Sequence, residues 1–181
     1  KSTALLRDAI PDGTSIFLDS KTLYAPLKWR KPRKVFVCSM SDLFGSWVSN
    51  AWLDSIFAVM AMTPHITYQV LTKRPGLAVA WYKQHGWLDN VWLGTSVESA
   101  KYLPRLDVLA RVPAKVRFVS AEPLLGPLDL GEWLTPGAFD AFGAREWSNE
   151  PPLISWAIVG GESGPHRRPM EIAWVRRIVD D

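Results

Sequence analysis

Acidic, basic and hydroxyl side chains recur in this chain directly after short apolar runs. Ser41 and Asp42 follow one run, Thr72, Lys73 and Arg74 a second, and Thr95, Ser96 and Glu98 a third. Glu122 follows a fourth, and Gly160, Gly161, Glu162 and Ser163 a fifth. Carboxylates hold cationic groups, Lys and Arg meet carboxylates or phosphates, and adjacent glycines let the backbone come close to a ligand. A rim carrying all of these suits a zwitterionic or otherwise polar small molecule. Taken singly, Ser, Thr, Asp and Gly in such places also serve as helix caps and turns. A cap needs no carboxylate on three successive crossovers, and Glu98, Glu122 and Glu162 stand on three.

Other chemistries find less support. The run Gly160-Gly161-Glu162-Ser163-Gly164-Pro165 lacks the Gly-Lys-Ser/Thr ending of a phosphate-binding P-loop and the spacing of the dinucleotide fingerprint. His65, His85 and His166 have no metal-ligand spacing, and none is placed as a base for Cys38, which reads as a buried, inert thiol at the end of an apolar run. No nucleophile–base pair can be named, so catalytic residues stay unassigned. Arg30, Lys31, Arg33 and Lys34 crowd beside Trp29, and Arg167 and Arg168 follow the glycine-rich run. Such cations are nucleic-acid candidates, because phosphates and stacked bases favour a cation cluster with an aromatic ring; the alternative is a solvated face.

The elements that must carry these residues are strands and helices in alternation. Lys34–Cys38, Thr67–Leu71, Val91–Leu93, Val116–Val119 and Ser155–Val159 are continuous rather than alternating apolar runs, as expected of parallel strands covered on both faces. Between them, Leu53, Ile56, Phe57 and Met60 share a helix face behind Ser49 or Asn50 as N-cap. Pro75–Gln84 predicts a shorter helix stopped by Gly86, and Leu103, Leu106, Leu109 and Ala110 mark another with Pro104 in its first turn. Ile172, Val175, Ile178 and Val179 mark a last helix that reaches the final residue without a C-cap, as in a fold cut short. Strand–helix alternation gives a doubly wound sheet or a (β/α) barrel. Five strands cannot close an eight-strand barrel, so the expected fold class is α/β: a mostly parallel sheet with flanking helices, forming an open partial (β/α) barrel like part of a TIM barrel. In either architecture the carboxyl ends of the strands converge on one ligand-binding edge.

The expectation is a single domain over residues 1–181, with an irregular segment at 1–30 and an excursion from the barrel at 124–152. With 181 residues, 48% of them hydrophobic and 22% charged, the chain has the composition of one soluble globular domain. No apolar stretch reaches the roughly 18–20 residues of a membrane span, and the start is no signal peptide. One cysteine excludes an internal disulfide framework and a multi-cysteine metal site within the chain, which points to a reducing cytoplasm. A net charge of +3 permits an anionic partner without demanding one.

The motifs WRKPRKVFVCSMSDLF, ITYQVLTKRP, NVWLGTSVES, VRFVSAEPLLGPLDL and SWAIVGGESGPHRRPM, in that order, resemble a phage and prophage family of unknown function named for two mycobacteriophage gene products. That family is distantly similar to the radical S-adenosylmethionine enzymes. The resemblance runs from about Trp29 to the end of the chain. It implies a radical-SAM-like six-strand partial barrel of which the five runs are strands two to six, in the cytoplasm of a phage's host cell. It also implies S-adenosylmethionine and a [4Fe–4S] cluster for a full-length form, the cluster held by a cysteine-rich segment upstream of this region. Those cysteines are absent here, and Cys38 stands where the family pattern leads one to expect asparagine. Ser41, Asp42, Thr72, Lys73, Arg74, Glu98, Glu122, Gly160, Gly161 and Glu162 would then line the cavity beneath the cluster. The Gly-Gly-Glu triplet is similar to one that binds the methionine part of the cofactor in that superfamily, although there it belongs to an early strand.

Two functions follow as expectations. The first is a phage-encoded radical S-adenosylmethionine-like protein of unknown substrate, here without its cluster segment. The alternative is a cluster-free binding module for nucleic acid or a host protein. No cofactor is assigned to this chain with certainty, and no membrane partner is expected.

Overall fold

A computed structural model describes residues 7–9, 15–38, 41–136, 138–139, 145–146 and 152–180. Five strands form one sheet: β3 (Arg33–Val37), β4 (Ile66–Thr72), β5 (Val91–Ser96), β6 (Arg117–Ala121) and β9 (Trp156–Val159). Their spatial order is their chain order, and every neighbouring pair is parallel. The sheet curls into a half-barrel with helices on one face, as the apolar runs and their spacing predict. Two small antiparallel ladders stand apart, β1 (Arg7–Ala9) with β2 (Ser15–Phe17), and β7 (Ala138–Phe139) with β8 (Arg145–Glu146).

Helix α2 (Asn50–Met62) starts at Ser49, whose side chain accepts from the Trp52 N–H at 3.3 Å. This is the N-cap the sequence offers, and it satisfies one of the orphan donors of the first turn. Helix α3 (Pro75–His85) takes Pro75 in its first turn and ends at Gly86, whose φ of +76° suits the residue without a Cβ. Helices α4 (Pro104–Leu109) and α6 (Ile172–Asp180) complete the expected set. Short α1 (Ser20–Tyr24), a 3₁₀ turn at Ala25–Lys28 and α5 (Gly131–Leu134) add to it. Residues 1–30 are therefore not wholly irregular: the Asp19 carboxylate caps α1 by accepting from the Lys21 N–H at 3.0 Å. Five residues cannot display a helical period, which is why α1 leaves no pattern in the sequence.

Alternate strand residues enter the core. Ile66, Tyr68 and Val70, then Val91 and Leu93, then Val119 and Ala121, pack against Leu53, Phe57 and Met60 of α2, Ala78 and Trp81 of α3, and Leu106 and Leu109 of α4. Each fully buried leucine or valine there contributes roughly 1.5–3 kcal/mol by leaving water. Asn90 ties the back of the sheet to α2: its amide donates to the carbonyls of Met60, Thr63 and Ile66 at 3.0, 3.2 and 3.0 Å. Those carbonyls run from the last turn of α2 to the first residue of β4, so one side chain spans the connection between them. Strand β5 runs three residues beyond the expected Leu93 because Gly94, Thr95 and Ser96 continue the ladder with β6. Gly94 lies opposite Phe118 in that ladder, and a Cβ there would sit 2.3 Å from the Phe118 ring. The ring occupies the space that a side chain would need.

Candidate functional site at the carboxyl edge

Asp42 organises the edge. It lies in the turn after β3, and its Oδ1 accepts from the Phe44 N–H at 3.0 Å and the Thr72 hydroxyl at 2.7 Å. Its Oδ2 accepts from the Lys73 N–H at 3.0 Å and the Arg74 guanidinium at 3.1 Å. One carboxylate thus welds the loop after β3 to the end of β4. The Thr72 hydroxyl also accepts from the Arg74 N–H at 2.9 Å, and the Thr72 carbonyl accepts from the Thr95 hydroxyl at 2.8 Å, which carries the lock on to β5.

The next carboxylate, Glu98, is 8% exposed and accepts from the Lys73 ammonium at 2.7 Å and the Arg105 guanidinium at 3.3 Å. Burial pushes its pKa up. The hydrogen bond from Lys73, the backbone N–H of Glu98 itself and the charges of Lys73 and Arg105 outweigh burial and hold it below the usual carboxylate range. Arg105 is fixed in turn by the Ser96 carbonyl at 2.7 Å and lies over the Tyr102 ring at 4.1 Å. Arg74 lies over the Trp47 ring at 4.7 Å.

Around these groups opens a cavity of about 560 Å³ lined by Phe36, Cys38, Ser41, Asp42, Trp47, Leu71, Thr72, Lys73, Arg74, Ser96 and Glu122. Its volume is that of small-molecule sites, which run to about 300–1,000 Å³. Glu122 is exposed and has no ion-pair partner among the described residues, whereas Asp42 and Glu98 are both neutralised. The open mouth therefore keeps one uncompensated carboxylate in the same lining as Lys73 and Arg74, whose side chains are 59% and 38% exposed. Gly160 makes room for it: a Cβ at Gly160 would lie 2.7 Å from Glu122 Oε1.

The structure brings Ser41, Asp42, Thr72, Lys73, Arg74, Ser96 and Glu122 together around one cavity. Glu98 stands behind it as the partner of Lys73, and Thr95 is fully buried as a strand-to-strand hydrogen-bond donor. Glu162 is turned into its own loop, where its carboxylate accepts from the Arg168 backbone N–H at 2.7 Å and from the Arg168 guanidinium at 2.8 and 2.7 Å. The Arg168 side chain, then its backbone N–H, pull the Glu162 pKa down to about 2. Gly161 and Ser163 are exposed in the same loop, and Gly161 packs near Met170. Ser39 and Met40, between Cys38 and Ser41, lie outside the described residues.

Cys38 departs from its expected burial: it is half-buried, lines the cavity and has a φ of +58°. Trp47, Phe36 and Arg105 are part of the site without any sequence signal beyond their residue type. Trp47 sits in the loop after β3 and meets Arg74 only through the fold. The cations are divided between the two edges of the sheet. Arg30, Lys31, Arg33 and Lys34 stand at or before the amino end of β3, whereas Arg167 and Arg168 follow the carboxyl end of β9.

Among the described residues no group of three or more His, Cys, Asp or Glu could hold a metal ion, and no helix is long and apolar enough to cross a membrane. No curated protein and no solved structure matches the chain. A family of proteins of unknown function, DUF5131, does match it over residues 6–181, and the chain belongs to that family.

Proposed function

We propose that the half-barrel binds a small zwitterionic ligand of the S-adenosylmethionine type at its carboxyl edge, as a radical S-adenosylmethionine-like protein encoded by a phage. The observation that supports this reading is the charge pattern of the cavity. Glu122 offers an unpaired carboxylate to a sulfonium or ammonium group, while Lys73 and Arg74 offer exposed cations to a carboxylate. Trp47 and Phe36 supply aromatic wall for a planar ring. Asp42 and Glu98 act by position, since each holds one of the two cations in place.

The iron–sulfur cluster that the sequence resemblance implies is a different matter. One cysteine cannot supply three thiolates, so no chemical step is drawn through a cluster on this chain. What these residues do is bind, orient and shield.

Calorimetric titration with S-adenosylmethionine tests the reading. Saturable binding is expected, weaker for S-adenosylhomocysteine, which lacks the sulfonium charge. Glu122→Gln is expected to weaken S-adenosylmethionine roughly tenfold, the scale of one charged hydrogen bond, and to remove the preference between the two ligands. Absence of saturable heat at millimolar ligand, or a Glu122→Gln variant with the parent's preference, rejects it.

A further inference from the structure

The opposite half of the concave face has a different chemistry. Successive strand residues point to opposite faces. Val35, Val37, Val91, Leu93, Val119, Ala121 and Ala157 belong to the helix-covered core, so Lys34, Phe36, Trp92, Phe118 and Trp156 share the other face. There the Lys34 ammonium lies 4.9 Å from the Trp92 ring, Trp92 meets Trp156 edge-on at 6.0 Å, and Trp156 meets Phe118 at 5.2 Å. Trp156 is 37% and Phe36 40% exposed, which is high for large apolar rings on a sheet. Beside this floor stand Arg30, Lys31 and Lys34, all exposed and none in an ion pair among the described residues, whereas Arg33 shares the face of Val35 and Val37.

We infer that this surface binds single-stranded nucleic acid, with a base stacked on Trp156 and phosphates meeting Arg30, Lys31 and Lys34. Exposed rings accept any base face, and uncompensated cations track a polyanion. A wholly apolar partner would leave these three cations unmatched, and a rigid duplex would bury its bases away from the rings. The inference is independent of the ligand assigned to the carboxyl edge, so either can fail alone.

The test is fluorescence anisotropy of a labelled thymidine oligonucleotide of about fifteen residues with the whole chain. Neutralising about three phosphates predicts a log–log salt slope near −2. Trp156→Ala is expected to weaken binding about tenfold, and Trp156→Phe, which keeps a ring, to restore most of it. Arg30→Ala with Lys34→Ala should flatten the slope by about 1.4, the share of two phosphates. No anisotropy change at low salt overturns the inference. So does binding indifferent to Trp156→Ala, or a duplex of equal length bound as tightly, because either leaves charge attraction without stacking.

Discussion

Replacing Asp42 by alanine removes four hydrogen-bond acceptor contacts at once, two to backbone N–H groups, one to a hydroxyl and one to a guanidinium. Bonds to a charged partner contribute about 1.5–3 kcal/mol each when shielded, and less when shared by one group. The Arg74 side chain is 38% exposed, so its pair with Asp42 contributes under about 1 kcal/mol. The buried Thr72 hydroxyl and the Phe44 and Lys73 amides are the larger part, and their joint loss sets the expected cost at about 3–4 kcal/mol. For a chain of this length that lowers Tm by roughly 6–16 °C. Asp42→Asn keeps the Oδ1 partners and puts an NH₂ where Oδ2 meets the Lys73 N–H and Arg74, so about half the cost is expected. Urea unfolding at constant m reads both variants. An Asp42→Ala protein within about 0.5 kcal/mol of the parent would refute the role of Asp42 as the weld between β3 and β4.

Three further outcomes are expected. Gly94→Ala drives a methyl into the Phe118 ring and should cost about 1–3 kcal/mol in urea unfolding, and much less than that in a Phe118→Ala background, where the ring is gone. The Glu162 carboxyl should titrate near pH 2 by carbon NMR and return towards the ordinary carboxylate range in Arg168→Ala. Because its folded pKa is depressed, its contribution to stability is complete above about pH 4.5 and is lost as pH falls through about 2. Cys38→Asn should stabilise the fold by about 0.5–1 kcal/mol, since a φ of +58° strains most side chains and suits asparagine; a lower urea midpoint counts against it.

The central strands β4, β5 and β6 were legible because burial on both faces writes itself as unbroken apolar runs, although the outer strands β3 and β9 keep exposed residues; the helices were legible because their core faces repeat at three and four residues. The edge was legible too. In a parallel sheet every strand hands over to its loop at the same rim, so chain order alone gathers Asp42, Thr72, Lys73, Arg74, Ser96 and Glu122. Pairing was not legible. Nothing in one sequence says that Lys73 turns to Glu98, that Arg105 reaches back seven residues to it, or that Glu162 is consumed by Arg168 six residues on. Such choices depend on side-chain reach within a finished fold. The same holds for Trp47, whose loop has no period to betray where its ring lies, and for Gly94, whose need is set by a ring on the neighbouring strand.

The sheet grows in the order in which the ribosome delivers it. Each of β4, β5, β6 and β9 docks on the strand made just before it, so none waits for a partner still to be synthesised. The lock that Asp42 closes on Thr72 and Lys73 is available once β4 and the residue after it have emerged. Vectorial assembly of this kind leaves two strand edges bare at any moment, that of β3 and that of the newest strand, and no others as a template for aggregation.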